Sequence, residues 1–169
     1  EYLGQTGREL VLLVDVGSAI STLTAYDNGA AATVIRTDLG LGHSAYSLLQ
    51  TLGTDAVSRW LPFPAQASEL ENYARNKTVR PGTVPETQRD MYLEYALLRA
   101  ALAALLDTAQ PVAQTRDTPP AYDPVISSGA ALTRTGSPGL GAMLLLDALQ
   151  PEGVTTLLAD PHGLAPTLG

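Results

Sequence analysis

VLLVDVGSAISTLTA, Val11 to Ala25, reads as two strands joined by a glycine turn. The apolar run Leu10–Val16 carries one carboxylate, Asp15, near its end, and Gly17-Ser18-Ala19 follows. Ser21–Tyr26 then supplies small and β-branched residues suited to a second strand. A glycine turn presents bare backbone N–H groups, so an acid beside one marks a place that can hold a phosphate or a cation. The bland alternative is an acid that caps the turn through its own backbone contacts. An unpaired charge inside an apolar strand is costly, which favours a functional origin for Asp15.

Outward from this stretch, Ala31–Arg36 is a third strand-like run, linked to the second by Asp27-Asn28-Gly29. Asn-Gly is a strong hairpin signal because both residues tolerate positive φ, so the three strands are expected to form an antiparallel meander. Gly40-Leu41-Gly42 breaks the pattern, and His43–Leu52 repeats at helical spacing through Tyr46, Leu48, Leu49 and Leu52. A short helix capped by Thr54-Asp55 should run to Leu61, and a polar helix with a capping pattern over Ser68–Lys77. Over Glu86–Ala109, Met91, Tyr95, Leu98, Leu102 and Leu105 form one apolar stripe, with Leu93, Leu97, Ala100, Ala101 and Ala104 beside it. Gln110–Pro124 reads as a proline-rich linker. Pro124–Ser127 is then a strand, Pro138–Leu149 a helix with proline in its first turn, Gly153–Ala159 a strand, and Leu164 the start of a last helix.

The implied fold is α/β: a five-stranded mixed sheet, made of a three-strand meander followed by helix–strand–helix–strand–helix crossovers. That layout is ribonuclease-H-like, shared by nucleases and by one half of actin-like ATPases. A single domain over residues 1–169 with a helical insertion at about 54–110 accounts for the whole chain. The chain starts at Glu1 and ends in LAPTLG, and the expectation is an excerpt of a longer protein.

Composition narrows the function. A formal charge of -7 argues against gripping a nucleic-acid backbone, which needs a basic face. Zero cysteines exclude disulfides, thiolate nucleophiles and zinc–sulfur sites, and fit a cytoplasmic setting. No apolar run reaches the ~20 residues of a membrane span. Two distant histidines, His43 and His162, do not make a ligand set. A two-metal nuclease needs converging acids, and the strand ending in Ser127-Ser128 supplies none.

Gly40-Leu41-Gly42-His43-Ser44-Ala45 matches the spacing G-x-G-x-x-A, but a hairpin precedes it and Trp60-Leu61 stand where the ribose-binding acid should be, about 20 residues on. Gly42-His43-Ser44-Ala45-Tyr46 falls short of a nucleophile elbow because Tyr46 replaces its last glycine. Both matches are rejected in favour of a strand-to-helix turn. Asn76-Lys77 with Arg80 is expected to be a solvated helix end. Ser128-Gly129-Ala130 lies at the carboxyl end of a parallel strand, where open α/β sheets bind ligands; close backbone packing explains it equally well.

With these residues in place, VDVGSAIST resembles the second phosphate-binding hairpin of actin-like ATPases, D-[IV]-G-G-[GA]-T-T-D. The chain is similar to the GlmL/MutL-type accessory proteins of cobalamin-dependent glutamate (methylaspartate) mutase, which are distinct from the mismatch-repair protein of the same name. The similarity runs through Asp38-Leu39-Gly40, Asn76-Lys77, Arg80-Pro81, Pro85 and Ser128-Gly129-Ala130 to LLDALQPEGVTTLLADPHGL, Leu145 to Leu164.

The resemblance implies the second subdomain of an actin-like ATPase. It implies nucleotide contacts at Asp15, Gly17, Ser18, Ala19, Ser128, Gly129 and Ala130, an adenosine-side contact at Asn76 and Lys77, and magnesium held by Asp15 through water. ATP with magnesium would be the cofactor in the full-length protein. The partners would be a cobalamin-dependent mutase and the other half of the same chain. Ser18, Ala19, Ile20 and Thr22 stand where the family prefers Gly, Gly or Ala, Thr and Asp. Loss of the second acid removes a metal–water partner, so the resemblance implies an accessory or reactivating factor with an eroded hairpin, and no catalysis by this chain alone. A non-catalytic scaffold domain is the alternative; an active ATPase or kinase half is a third.

Overall fold

The computed structural model describes residues 10–27, 30–113, 122–151 and 153–165. Its strands are β1 (Leu10–Val16), β2 (Ser21–Asp27), β3 (Ala30–Arg36), β4 (Tyr122–Ser128) and β5 (Leu157–Ala159). They form one sheet in the order β3-β2-β1-β4-β5. β1 pairs antiparallel with β2, and β2 with β3, in a register that sets Asp27 opposite Ala30. The expected turn residues Asn28 and Gly29 lie outside the described residues. β4 pairs parallel with both β1 and β5, so the two late strands are added to the meander through crossovers.

Strand alternation separates the two faces of this sheet. Leu12, Val14, Val16, Leu23 and Val125 point to one side and are buried there with all six helices. These are α1 (Ala45–Leu52), α2 (Thr54–Ser58), α3 (Ala67–Val79), α4 (Gln88–Ala113), α5 (Ala130–Thr133) and α6 (Pro138–Leu149). Leu13, Asp15, Thr24, Thr33 and Ile35 take the other side, where Thr24 and Thr33 share a hydroxyl hydrogen bond of 3.0 Å.

α4 is the spine of the helical layer. Leu93, Leu97, Leu98, Leu102 and Leu105 are all buried, as the stripe predicts. Met91 and Tyr95, the first two members of that stripe, instead wall a cleft. The helices are cross-braced by charge. Arg99 bonds Asp147 on α6, Arg89 bonds Glu69 on α3, and Lys77 bonds Glu94 at 2.7 Å. Arg36 grips Asp38 with two bonds of 2.8 and 2.7 Å and reaches Thr108 on α4, which holds the Asp38 carboxyl down at about 2.

Several boundaries correct the sequence reading. α1 begins at Ala45, two residues late, because His43 and Ser44 are used in the turn before it. The N-cap of α2 is Gly53, and Thr54 is already helical. α3 starts after Gln66 with no side-chain cap. α4 runs to Ala113, into the segment expected to be linker, and β4 begins by Tyr122. β5 is only three residues long, since Val154 is 90% exposed and the ladder to β4 starts at Leu157. α5, four residues long, has no counterpart in the sequence pattern. α6 meets its expectation, with Ser137 as N-cap accepting from the Leu140 N–H and Pro138 in the first turn. The helix expected from Leu164 onward is described only to residue 165.

Candidate functional site

The β1–β2 hairpin closes with the Gly17 N–H donating to the Ile20 carbonyl at 3.0 Å. Its other carbonyls are taken by the turn that leads from β3 into α1. Leu41 N–H donates to Gly17 O at 3.0 Å, Gly42 N–H to Ser18 O at 2.8 Å, and the Ser44 hydroxyl to Ala19 O at 2.8 Å. The Ser21 hydroxyl, fully buried, donates to Leu39 O at 2.8 Å. Two glycines make this approach possible: a Cβ on Gly40 would sit 2.4 Å from Ser18 O, and one on Gly42 would sit 2.0 Å from Ser18 Oγ. Gly40-Leu41-Gly42 is therefore a clamp on the hairpin. With its carbonyls occupied, the hairpin leaves the N–H groups of Ser18, Ala19 and Ile20 without a protein partner among the described residues, and all three residues are exposed.

Of these three residues, Ser18 lines a cleft of about 630 Å³ at the carboxyl end of β1. Val16, Gly17 and Ser18 form its floor, and Gly42 adjoins them. Pro81–Pro85, Met91 and Tyr95 line it as well, as do Ala130, Ala131 and Arg134. Arg134 has no charged partner among the described residues. Lys77, expected in solvent, is only 7% exposed and lines the cleft from behind. Its ammonium donates to Glu94 Oε2 at 2.7 Å and to Thr83 O at 2.5 Å, while the Tyr73 hydroxyl donates to the same Glu94 oxygen at 2.7 Å. Burial and the Glu94 charge push the Tyr73 hydroxyl well above the usual phenol range, so it stays a proton donor.

The candidate residues are thus divided by the fold. Gly17, Ser18, Ala130 and Lys77 line the cleft. Asn76 is on another side of α3, facing a groove shared with Ser68, Asn72, Tyr73 and Asp90. Asp15 points to the opposite side of β1 from Val16, as strand alternation requires, and does not line the cleft. Ser128 is buried next to it in register and hydrogen-bonds its carboxylate. Gly129, at φ +90°, packs its backbone on Val16. Ala19 sits on the hairpin tip outside the cleft lining.

The sequence reading missed Arg134, which stands alone in its stretch, and Asp160, which follows β5. Asp160 accepts N–H bonds from His162 at 3.3 Å and Ala165 at 2.7 Å, which hold its carboxyl below the usual range. Desolvation raises the Asp15 carboxyl, the Ser128 hydrogen bond opposes this, and the Asp160 charge adds to the rise. An acid whose folded pKa is raised favours folding in its protonated form. Its cost to stability is absent below about pH 4 and grows as pH rises through the folded value. Asp15→Asn is therefore expected to raise the unfolding midpoint at pH 7 and leave it unchanged near pH 3, a difference that paired thermal melts will register.

A family model described as MutL protein matches residues 4–169. The chain belongs to the MutL family. The cleft geometry above is thus a property of a family member, and it is set by residues spread from β1 to α5. Comparison with curated proteins returned no match. Among solved structures, a chain of a PilM-PilN type IV pilus biogenesis complex is 16% identical, with a TM-score of 0.44. That alignment covers 95% of this chain and 40% of the other, so this chain spans less than half the length of the structure it matches. No helix among the described residues is long and apolar enough to cross a membrane.

Proposed function

We propose that this chain supplies one half of an actin-like, ribonuclease-H-type nucleotide cleft in an accessory factor that serves a cobalamin-dependent mutase and responds to ATP. The observation that carries the reading is the hairpin of the clamp: three consecutive exposed residues, Ser18, Ala19 and Ile20, whose N–H groups have no protein partner among the described residues while the neighbouring carbonyls are bonded. Such a row of donors suits phosphate oxygens. Arg134 adds a cation without a carboxylate to satisfy, and Pro81, Val84, Pro85, Met91 and Tyr95 offer apolar surface for a base. The residues present therefore fit a nucleoside triphosphate. Magnesium would reach the phosphates with Asp15 acting at most through water, since its side chain turns away from the cleft.

Membership of the MutL family supports the accessory role. Calorimetric titration of the full-length protein with ATP and magnesium tests the nucleotide part. Binding at micromolar ATP is expected, and Arg134→Ala should weaken it about tenfold, the loss of one charge-assisted bond. Absence of heat at millimolar ATP would sink the reading.

A second reading, a scaffold domain that kept the fold without the chemistry, is favoured by one specific observation. Thr22, opposite Asp15 in the β1–β2 register, puts a hydroxyl where the family's hairpin carries its second acid. Under this reading the protein binds its partner equally well with and without ATP.

A further inference from the structure

Ser18 departs from the hairpin pattern at a position where glycine would let a phosphate approach bare backbone, and the structure gives that extra hydroxyl a base. Ser18 Oγ lies 3.0 Å from His43 Nδ1 and accepts the His43 backbone N–H at 3.2 Å. The backbone bond holds the serine hydroxyl against the clamp, and in the tautomer that carries its proton on Nε2 the Ser18 hydroxyl donates to His43 Nδ1. Both residues are exposed, and Ser18 lines the cleft. His43 Nε2 has no protein partner among the described residues. The N–H groups of Ser18, Ala19 and Ile20, without a protein partner among the described residues, belong to the same hairpin as the hydroxyl, and backbone donors of this kind stabilise charge that develops on an attacked group. A hydroxyl, a base within hydrogen-bond reach and a row of backbone donors are the parts of an activated nucleophile.

We infer that Ser18 is a site of self-modification, accepting the terminal phosphoryl group of a nucleoside triphosphate bound in the cleft, with His43 as general base. The inference rests on the nucleotide reading above. In the step, Ser18 Oγ forms a bond to the terminal phosphorus as the bond from that phosphorus to the bridging oxygen breaks. The hydroxyl proton passes to His43 Nδ1, and a nucleoside diphosphate leaves with the bonding electron pair. The imidazolium then returns its proton to solvent. The dianionic product would sit against the hairpin N–H groups and Arg134, which makes a phosphorylated cleft a poorer site for a second triphosphate.

The test incubates full-length protein with ATP and magnesium and reads peptide masses. One phosphoryl increment on the Ser18 peptide is expected, absent in Ser18→Ala. His43→Ala should slow its appearance by about 10²-fold, the usual worth of a positioned base, and added imidazole should restore part of the rate. Calorimetry on the same samples separates the two failures. ATP that binds without modifying Ser18 overturns this inference and leaves the nucleotide reading standing. No binding overturns both. Modification at an unchanged rate in His43→Ala overturns the assignment of the base. Thermal melts of each variant confirm that the fold is intact.

Discussion

Glu94→Leu is expected to lower the thermal midpoint by about 10 °C, the equivalent of the 3–5 kcal/mol lost when one partner of a buried ion pair is removed. Lys77 and Glu94 are paired at 2.7 Å with side chains only 8% and 14% exposed. Taking away the carboxylate leaves an ammonium in an apolar site with the Thr83 carbonyl as its remaining partner, and deprives the Tyr73 hydroxyl of its acceptor. One substitution thus removes the counter-charge of a buried ammonium and the acceptor of a hydroxyl's hydrogen bond. The double variant Lys77→Met, Glu94→Leu should recover most of the loss, because apolar residues of similar volume replace a buried pair with little net cost. A double variant as unstable as the single one would show that the pair is not the source. The pair also ties the Arg80–Pro85 loop, through Thr83, to α4. Glu94→Leu should therefore loosen one wall of the cleft, read as faster amide exchange across residues 80–85.

That network explains why Lys77 could not be placed from its own neighbourhood. In the sequence, Asn76-Lys77 and Arg80 resemble any basic helix end, and Glu94 lies 17 positions away on the next helix. The hairpin clamp hides in the same manner. Gly40 and Gly42 declare a tight turn, yet that turn's partners, Gly17, Ser18 and Ala19, lie more than twenty positions earlier. Local periodicity carries information about which face of a strand or helix is buried, and it served well for β1, β2, β3 and the middle of α4. It carries none about which loop lies against which. Strand alternation in β1 is legible from the sequence and carries its consequence for the site: if Val16 faces the helices, Asp15 faces away. Elements with a weak local signal were the ones misjudged. β5 has three paired residues preceded by an exposed Val154, and α5 has four residues, too few to display a period.

Gly129→Ala should cost about 4 kcal/mol, combining a backbone term of 1–3 kcal/mol with a clash that the sheet cannot relieve. Gly129 follows β4 at φ +90° and ψ 142°, a region that side chains avoid. A Cβ there would lie 2.2 Å from the Val16 carbonyl oxygen, 2.8 Å from its carbon and 3.1 Å from Asp15 Oδ1. The obstructing atoms are backbone of the central strand, so the only relief is to part β1 from β4 where the cleft begins. Gly53 provides the control within the same chain. Its φ of +82° is equally unsuited to alanine, but nothing lies within 4 Å of the added carbon. Gly53→Ala should therefore show the backbone term alone, about 1–3 kcal/mol. Denaturant titration of the two variants isolates the close approach as their difference. If Gly129→Ala costs no more than Gly53→Ala, β1 and β4 are not packed as tightly as the structure has them, and the cleft floor at Val16–Ser18 is free to shift. A large difference fixes Ser128-Gly129 as a packing element that seats Ala130 and Arg134 in the cleft lining. Neither residue need then touch a ligand for the glycine to be required.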